Sequence, residues 1–176
     1  MQSDVIALDA TSGNGHVLIE SAVMAKLAIH RQDQGSKPEA GGILLGYRRD
    51  PHLHVVDATV PGPDDLALRT RFWRSASAHQ RAAQEGWQRS GGTLDYVGEW
   101  HTHPQVFPTP STIDICEWAK ISASRHGEEM IFLILGMERA IWLGADDGSG
   151  TRRLSHSPIG SSPLKEENQQ YYKERS

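Results

Sequence analysis

The segment Glu99-Trp100-His101-Thr102-His103-Pro104, followed by Ser111 and Asp114, constrains this chain more than any other part of it. Two histidines stand two positions apart, and a carboxylate follows 11 positions after the second. Neutral imidazoles with one aspartate make the usual shell of a catalytic zinc, in which three protein ligands leave a fourth position for water. Thr93 to His103 carries Leu94, Tyr96, Val97 and Trp100 and reads as a strand. Residues i and i+2 of a strand face the same side, which brings His101 and His103 together with Cα atoms about 6.6 Å apart.

The second half of the constellation belongs to a helix. Pro104, Pro108 and Pro110 force a loop, and Ser111-Thr112-Ile113-Asp114 opens a segment with Ile115, Trp118, Ala119 and Ser122 at helical spacing. Ser-x-x-Asp is also a capping-box pattern, with Ser111 at the N-cap and Asp114 at N3, although Glu or Gln is the usual N3 partner. The two roles are compatible. A capping serine still offers its hydroxyl to a reacting group, and a first-turn Asp114 can point back at the histidines.

His101-Thr102-His103-Pro104, six residues, Ser111, two residues and Asp114 resemble the metal motif of the JAMM family, also called JAB, MPN+ or Mov34/PAD-1. That family adds a glutamate far upstream, before a glycine-rich run. Pro38-Glu39-Ala40-Gly41-Gly42-Ile43-Leu44-Leu45-Gly46-Tyr47 is similar to that segment. The resemblance extends over roughly residues 16 to 145. The wording Gly98-Glu99-Trp100-His101-Thr102-His103-Pro104, with Arg71-Phe72-Trp73 before a helix, further resembles the small bacterial JAB proteins of integrative elements and type II CBASS antiphage operons.

The resemblance implies an α/β fold, the MPN or JAB domain: a curved mixed β-sheet packed between helices in a deaminase-like sandwich. It implies a zinc isopeptidase, with His101, His103 and Asp114 as metal ligands and Glu39 and Ser111 as catalytic residues. Glu39 would take a proton from water and pass it to the departing amine. Ser111 would donate a hydrogen bond to the oxyanion. The implied substrate is a ubiquitin-like or C-terminally conjugated protein, for the narrower subgroup a cGAS-like nucleotidyltransferase joined to lysines by an E1/E2-like enzyme. The alternatives are a nonhydrolytic MPN scaffold and a zinc amidohydrolase acting on another modifier or on small molecules. A zinc nucleobase deaminase needs Pro-Cys-x-x-Cys, which a single cysteine excludes.

Composition fits this reading. The chain has 176 residues, 38% hydrophobic, and a formal charge of −4, so no basic excess points to nucleic acid. No apolar run approaches the roughly 18 to 20 residues that span a bilayer. Met1 to Asp9 lacks the charged and apolar regions of a secretory signal, and lone Cys116 suits a reducing cytoplasm. Residues 1–160 read as one domain and 161–176 as a polar tail, either a weak helix or disordered.

Along the chain the pattern predicts a strand at His16 to Ile19 and a helix from Glu20-Ser21 to about Arg31, with Val23, Leu27 and His30 on one face. Strands follow at Ile43 to Tyr47, Leu53 to Val60 and Arg69 to Arg74. A helix starts at Ser75 or Ser77 and runs to about Arg89, ended by Gly91-Gly92. Met130 to Gly136 and Ala140 to Gly144 form a hairpin, and Arg152 to Ser155 a last strand. His52-Leu53-His54 reads as an exposed strand start, Cys116 as a buried small hydrophobe, and the five tryptophans as core or groove lining. Glu99 shares the histidines' face and reads as buried support.

Overall fold

The computed structural model describes residues 5–8 and 15–158. Its elements run β1 (Val5–Leu8), β2 (Val17–Ile19), α1 (Ser21–Ala28), β3 (Gly41–Arg49), β4 (His52–Ala58), β5 (Leu66–Leu68) and β6 (Arg71–Trp73). Then come α2 (Ala76–Arg89), β7 (Leu94–Thr102), α3 (Thr112–Ser124), β8 (Met130–Leu135), β9 (Ile141–Asp146), β10 (Arg152–Arg153) and β11 (Ser155–Pro158). Nine strands form one mixed sheet in the order β10-β9-β8-β7-β3-β4-β2-β1-β11, and β5 and β6 form a separate hairpin. Only β2–β4 and β7–β8 pair in parallel among the described strands.

The sheet is curled, and one residue proves it. β10 bonds to one end of the strand order and β11 to the other, yet only Leu154 separates them. Consecutive Cα atoms are about 3.8 Å apart, so the two edges must meet. Leu154 is buried at this closure, its N–H donating to the Leu143 carbonyl at 2.9 Å.

The inner face packs against α1, whose Val23, Met24 and Leu27 join Leu44, Val55, Val97, Trp100, Leu133 and Leu143. The outer face carries α3, where Trp118 joins Met130, Phe132, Ile134 and Trp142. β8 is buried along its whole length because both faces are covered. At the β7–β8 contact a Cβ on Gly98 would collide with the Ile131 carbonyl, so glycine is what lets these parallel strands approach.

The structure corrects several sequence expectations. α1 stops at Ala28 rather than Arg31. The chain tightens there, with His30 N–H bonding Leu27 and Arg31 N–H bonding Ala28, each three residues back. This turn lets the buried Arg31 guanidinium reach the Gly136 carbonyl at 2.7 Å and that of Ala140 at 3.2 Å. β5 was not foreseen; its partner β6 lies inside the predicted 69–74 strand. β1 was not foreseen either, and the polar tail from Ser161 lies outside the described residues. The α2 terminus follows expectation, with positive φ at Gly91 (66°) and Gly92 (85°). No helix of the described residues is long and apolar enough to cross a membrane.

Candidate active site

Three chain segments deliver the predicted residues to one cleft of about 620 Å³. Glu39 sits two residues before β3, 7% exposed, its backbone N–H bonded to the Leu68 carbonyl at 2.8 Å. His101 is the penultimate residue of β7, and His103 lies one residue past the strand, its N–H tied to the Leu135 carbonyl at 2.9 Å. The two rings converge with Nε2 atoms 3.0 Å apart. Asp114 reaches them from the first turn of α3, Oδ1 standing 3.4 Å from His101 Nε2 and Oδ2 3.4 Å from His103 Nε2.

The capping box is present as well. Ser111 Oγ accepts from the Asp114 N–H at 3.2 Å, and Asp114 Oδ2 accepts from the Ser111 N–H at 2.6 Å. The reciprocal bonds hold the Asp114 carboxylate beside the histidines, and the Ser111 side chain, which lines the cleft, also hydrogen-bonds that carboxylate. Gln105 hydrogen-bonds the His103 side chain and accepts from the Thr109 N–H at 3.0 Å, so the proline-rich loop also orients a histidine.

The two carboxylates diverge electrostatically. Burial pushes the Asp114 carboxyl up, but hydrogen bonds from His101, His103 and Ser111 outweigh it and hold the group well below the usual carboxylate range. Burial raises the Glu39 carboxyl, and the attraction of His101 and His103 only partly offsets it. His103 is shifted up: burial disfavours its charged form, but the bond and charge of Asp114 prevail. Donor atoms of Glu39, His101 and His103 all lie within 4.8 Å of one another.

The donor set fits a zinc ion. Tetrahedral nitrogen and oxygen ligands at about 2.0–2.1 Å from zinc stand about 3.3–3.4 Å from each other. Each ring nitrogen stands 3.4 Å from a different oxygen of Asp114, Oδ1 for His101 and Oδ2 for His103, and the ring nitrogens are 3.0 Å apart, so an ion here needs a small spread of the rings and a small turn of the carboxylate. Two imidazole nitrogens and a carboxylate gathered beside an open cleft are donor chemistry that suits a divalent metal such as zinc.

Glu99 lines the same cleft but is differently engaged. It pairs with Arg74 and accepts from the Tyr96 hydroxyl at 3.0 Å, so the support expected of it takes the form of an internal ion pair. Strict alternation places Tyr96 and Glu99 on opposite faces. A bulge at Val97 adds one residue between them, since Leu44 pairs with Gly98 and Leu45 with Tyr96. Sequence reading missed Arg74, whose one signal was its place directly after Arg71-Phe72-Trp73.

The remaining cleft wall comes from the β5–β6 hairpin through Thr70, Arg71, Phe72 and Trp73. A Cβ on Gly41 would lie 2.8 Å from the Phe72 ring, so this glycine lets the hairpin rest beside the Glu39 loop. Two expectations fail here. Cys116 is exposed, because α3 turns only Trp118 and Ser122 fully inward, and Ile115 and Ala119 face out. Trp87 is 55% exposed, neither core nor groove. His52 is exposed as anticipated and starts β4.

Comparison with known proteins bears on the family and the fold. Residues 21–151 match the family described as prokaryotic homologs of the JAB domain. A "CD-NTase/cGAS isopeptidase" of Escherichia coli is 41% identical over 83% of this chain and 92% of its own. Another of that name from Vibrio cholerae is 39% identical over 82% of this chain and 90% of its own. A "probable metalloprotease" of Sinorhizobium fredii is 34% identical over 39% of this chain and 42% of its own. A solution structure of a Desulfitobacterium hafniense protein superposes with a TM-score of 0.54 at 18% identity, over 77% of this chain and 87% of that one, which supports the fold alone. With the fold, the convergent His-x-His and Asp114, and these matches in agreement, the chain belongs to the prokaryotic JAB-domain family.

Proposed function

We propose that this chain is a zinc-dependent isopeptidase that releases a C-terminally conjugated protein, a CD-NTase like that named for its relatives, from the lysines it modifies. The supporting observation is a buried, basic Glu39 carboxylate beside two histidines and an ionised Asp114 on the wall of an open cleft. His101, His103 and Asp114 would hold the ion, and when bound it supplies Lewis acidity to a carbonyl oxygen and to water. Asp114 suits a ligand because its contacts keep it anionic. Glu39 suits a base because burial makes it a better proton acceptor.

In the hydrolysis, water adds to the amide carbon and loses a proton to Glu39. Glu39 then returns that proton to the lysine nitrogen as the C–N bond breaks, leaving a free carboxylate and an amine. Such proton transfer is worth about 10² to 10⁴ in rate. The Ser111 hydroxyl donates to the developing oxyanion, a contribution of about 10² to 10³. A flexible C-terminal tail can lie extended between the β5–β6 hairpin and α3, where Phe72, Trp73 and Ile113 offer apolar contact. Phe107, 80% exposed on the proline-rich loop, is not among the cleft-lining residues. The reading takes residues 1–160 as the catalytic domain and 161–176 as a polar tail.

The test is to incubate the zinc-loaded protein with a CD-NTase carrying an added C-terminal peptide and to locate the cut by mass spectrometry. Cleavage immediately after the native C-terminal residue is expected. Efficient cleavage of ubiquitin chains with no action on the CD-NTase fusion would reject this substrate and leave a more general JAB peptidase.

A further inference from the structure

The base and the histidines sit on different parts of the chain, and something must hold them in register. Thr102, between the two histidines, is fully buried. Its Oγ1 accepts from the Ala40 N–H at 3.0 Å and donates to Gln32 Oε1 at 3.1 Å. Gln32 is 1% exposed, and its amide nitrogen donates to the Lys37 carbonyl at 3.2 Å and to the Arg69 carbonyl at 2.7 Å. The Thr102 N–H closes the frame on the Ala40 carbonyl at 2.9 Å. Valine has the shape of threonine and buries at lower cost, so core packing alone does not explain a hydroxyl here.

What the hydroxyl does is join three segments. They are the 37–40 loop that carries Glu39, the end of β7 that carries the histidines, and the Leu68–Arg71 turn of the hairpin that walls the cleft. We propose that Thr102 and Gln32 are positioning residues, setting the Glu39 carboxylate against the His101/His103 pair and fixing the hairpin to the same frame. The proposal rests on the isopeptidase reading above. Neither side chain lines the cleft, so their influence passes through the backbone they hold.

The test uses the zinc-loaded full chain on the CD-NTase fusion, comparing Thr102→Val, Thr102→Ser and Gln32→Met with the wild type. Thr102→Val is expected to keep one zinc per chain and a KM within about twofold, while kcat falls about ten- to a hundredfold, the cost of misplacing a reacting group by about 1 Å. Thr102→Ser restores kcat to within about threefold, and Gln32→Met repeats the loss. Wild-type kcat in Thr102→Val, or a loss that only tracks missing zinc or unfolded protein, overturns the proposal. If Thr102→Val does not fold, Gln32→Met decides by the same criteria. An active wild type with unaffected variants overturns this inference alone, whereas an inactive zinc-loaded wild type overturns the isopeptidase reading with it.

Discussion

Glu39 and Glu99 both present carboxylates to the cleft, yet their surroundings assign them different work. Glu39 is buried beside the histidines and pairs with no lysine or arginine among the described residues, whereas Glu99 is paired with Arg74 and hydrogen-bonded by the Tyr96 hydroxyl. Glu39→Gln should therefore retain zinc and fold but lose at least about 10² in kcat, while Asp114→Ala loses metal and activity together. Glu99→Ala should chiefly lower the melting temperature. Zinc analysis alongside the cleavage assay checks all three, and a dead Glu99→Ala with an active Glu39→Gln would reverse the assignment. The raised His103 pKa has its own consequence. Metal-free His103 keeps its proton above the ordinary range near 6.5, and a metal can bind only the neutral ring. Zinc binding near neutral pH should then release a proton, and affinity should fall as pH drops. Calorimetry in buffers of different ionisation enthalpy measures that release; equal apparent enthalpies at pH 6.5 would contradict it.

At the scale of elements, the site depends on how firmly α3 is fastened. Trp118 stacks on Phe132 (4.6 Å, 16°) and on Trp142 (5.2 Å, 17°), clamping α3 to β8 and β9. Its ring also lies 6.0 Å from that of His101. Trp118→Ala should cost about 3–5 kcal/mol of stability. It should also weaken zinc binding, because Asp114 rides on the same helix one turn earlier. Denaturant melts and zinc titration of the folded variant check this, and unchanged affinity would show that the capping box alone positions Asp114. α2 is secured differently. Buried His79 bridges Thr59 Oγ1 at 2.5 Å and Asp65 Oδ2 at 3.0 Å, tying the helix to the 59–65 loop that leads into the hairpin.

For the whole molecule, the proposed metal centre gathers β7, α3 and the approach to β3 at one point of the curled sheet. An ion bound by the folded state alone stabilises it by mass action, about 2.7 kcal/mol at 100 times Kd. For a chain of 176 residues that corresponds to a rise in Tm of about 5–10 °C. Zinc should therefore raise the melting point of chelator-stripped protein by this amount, and Asp114→Ala should abolish the rise. An equal rise in that variant would place the binding elsewhere.

The cluster of the proposed metal ligands was legible because it is local: a strand, a proline-rich loop and a helix start bring His101, His103 and Asp114 together within 14 residues of sequence. Glu39 came only through resemblance to a family, since no local rule links a residue 62 positions before His101 to it. The hairpin β5, the short α1 and the exposed Cys116 were misread. Each was decided by a distant partner or by which helix face met the sheet: Arg31 reaching the β8–β9 turn, β6 recruiting β5, Trp118 setting the rotation of α3. The Arg74–Glu99 pair and the Thr102–Gln32 frame were invisible for the same reason. Sequence periodicity reports which face a residue takes along its own element. The curl that joins β10 to β11, and every bond between segments far apart in the chain, arises only when those faces are packed against one another.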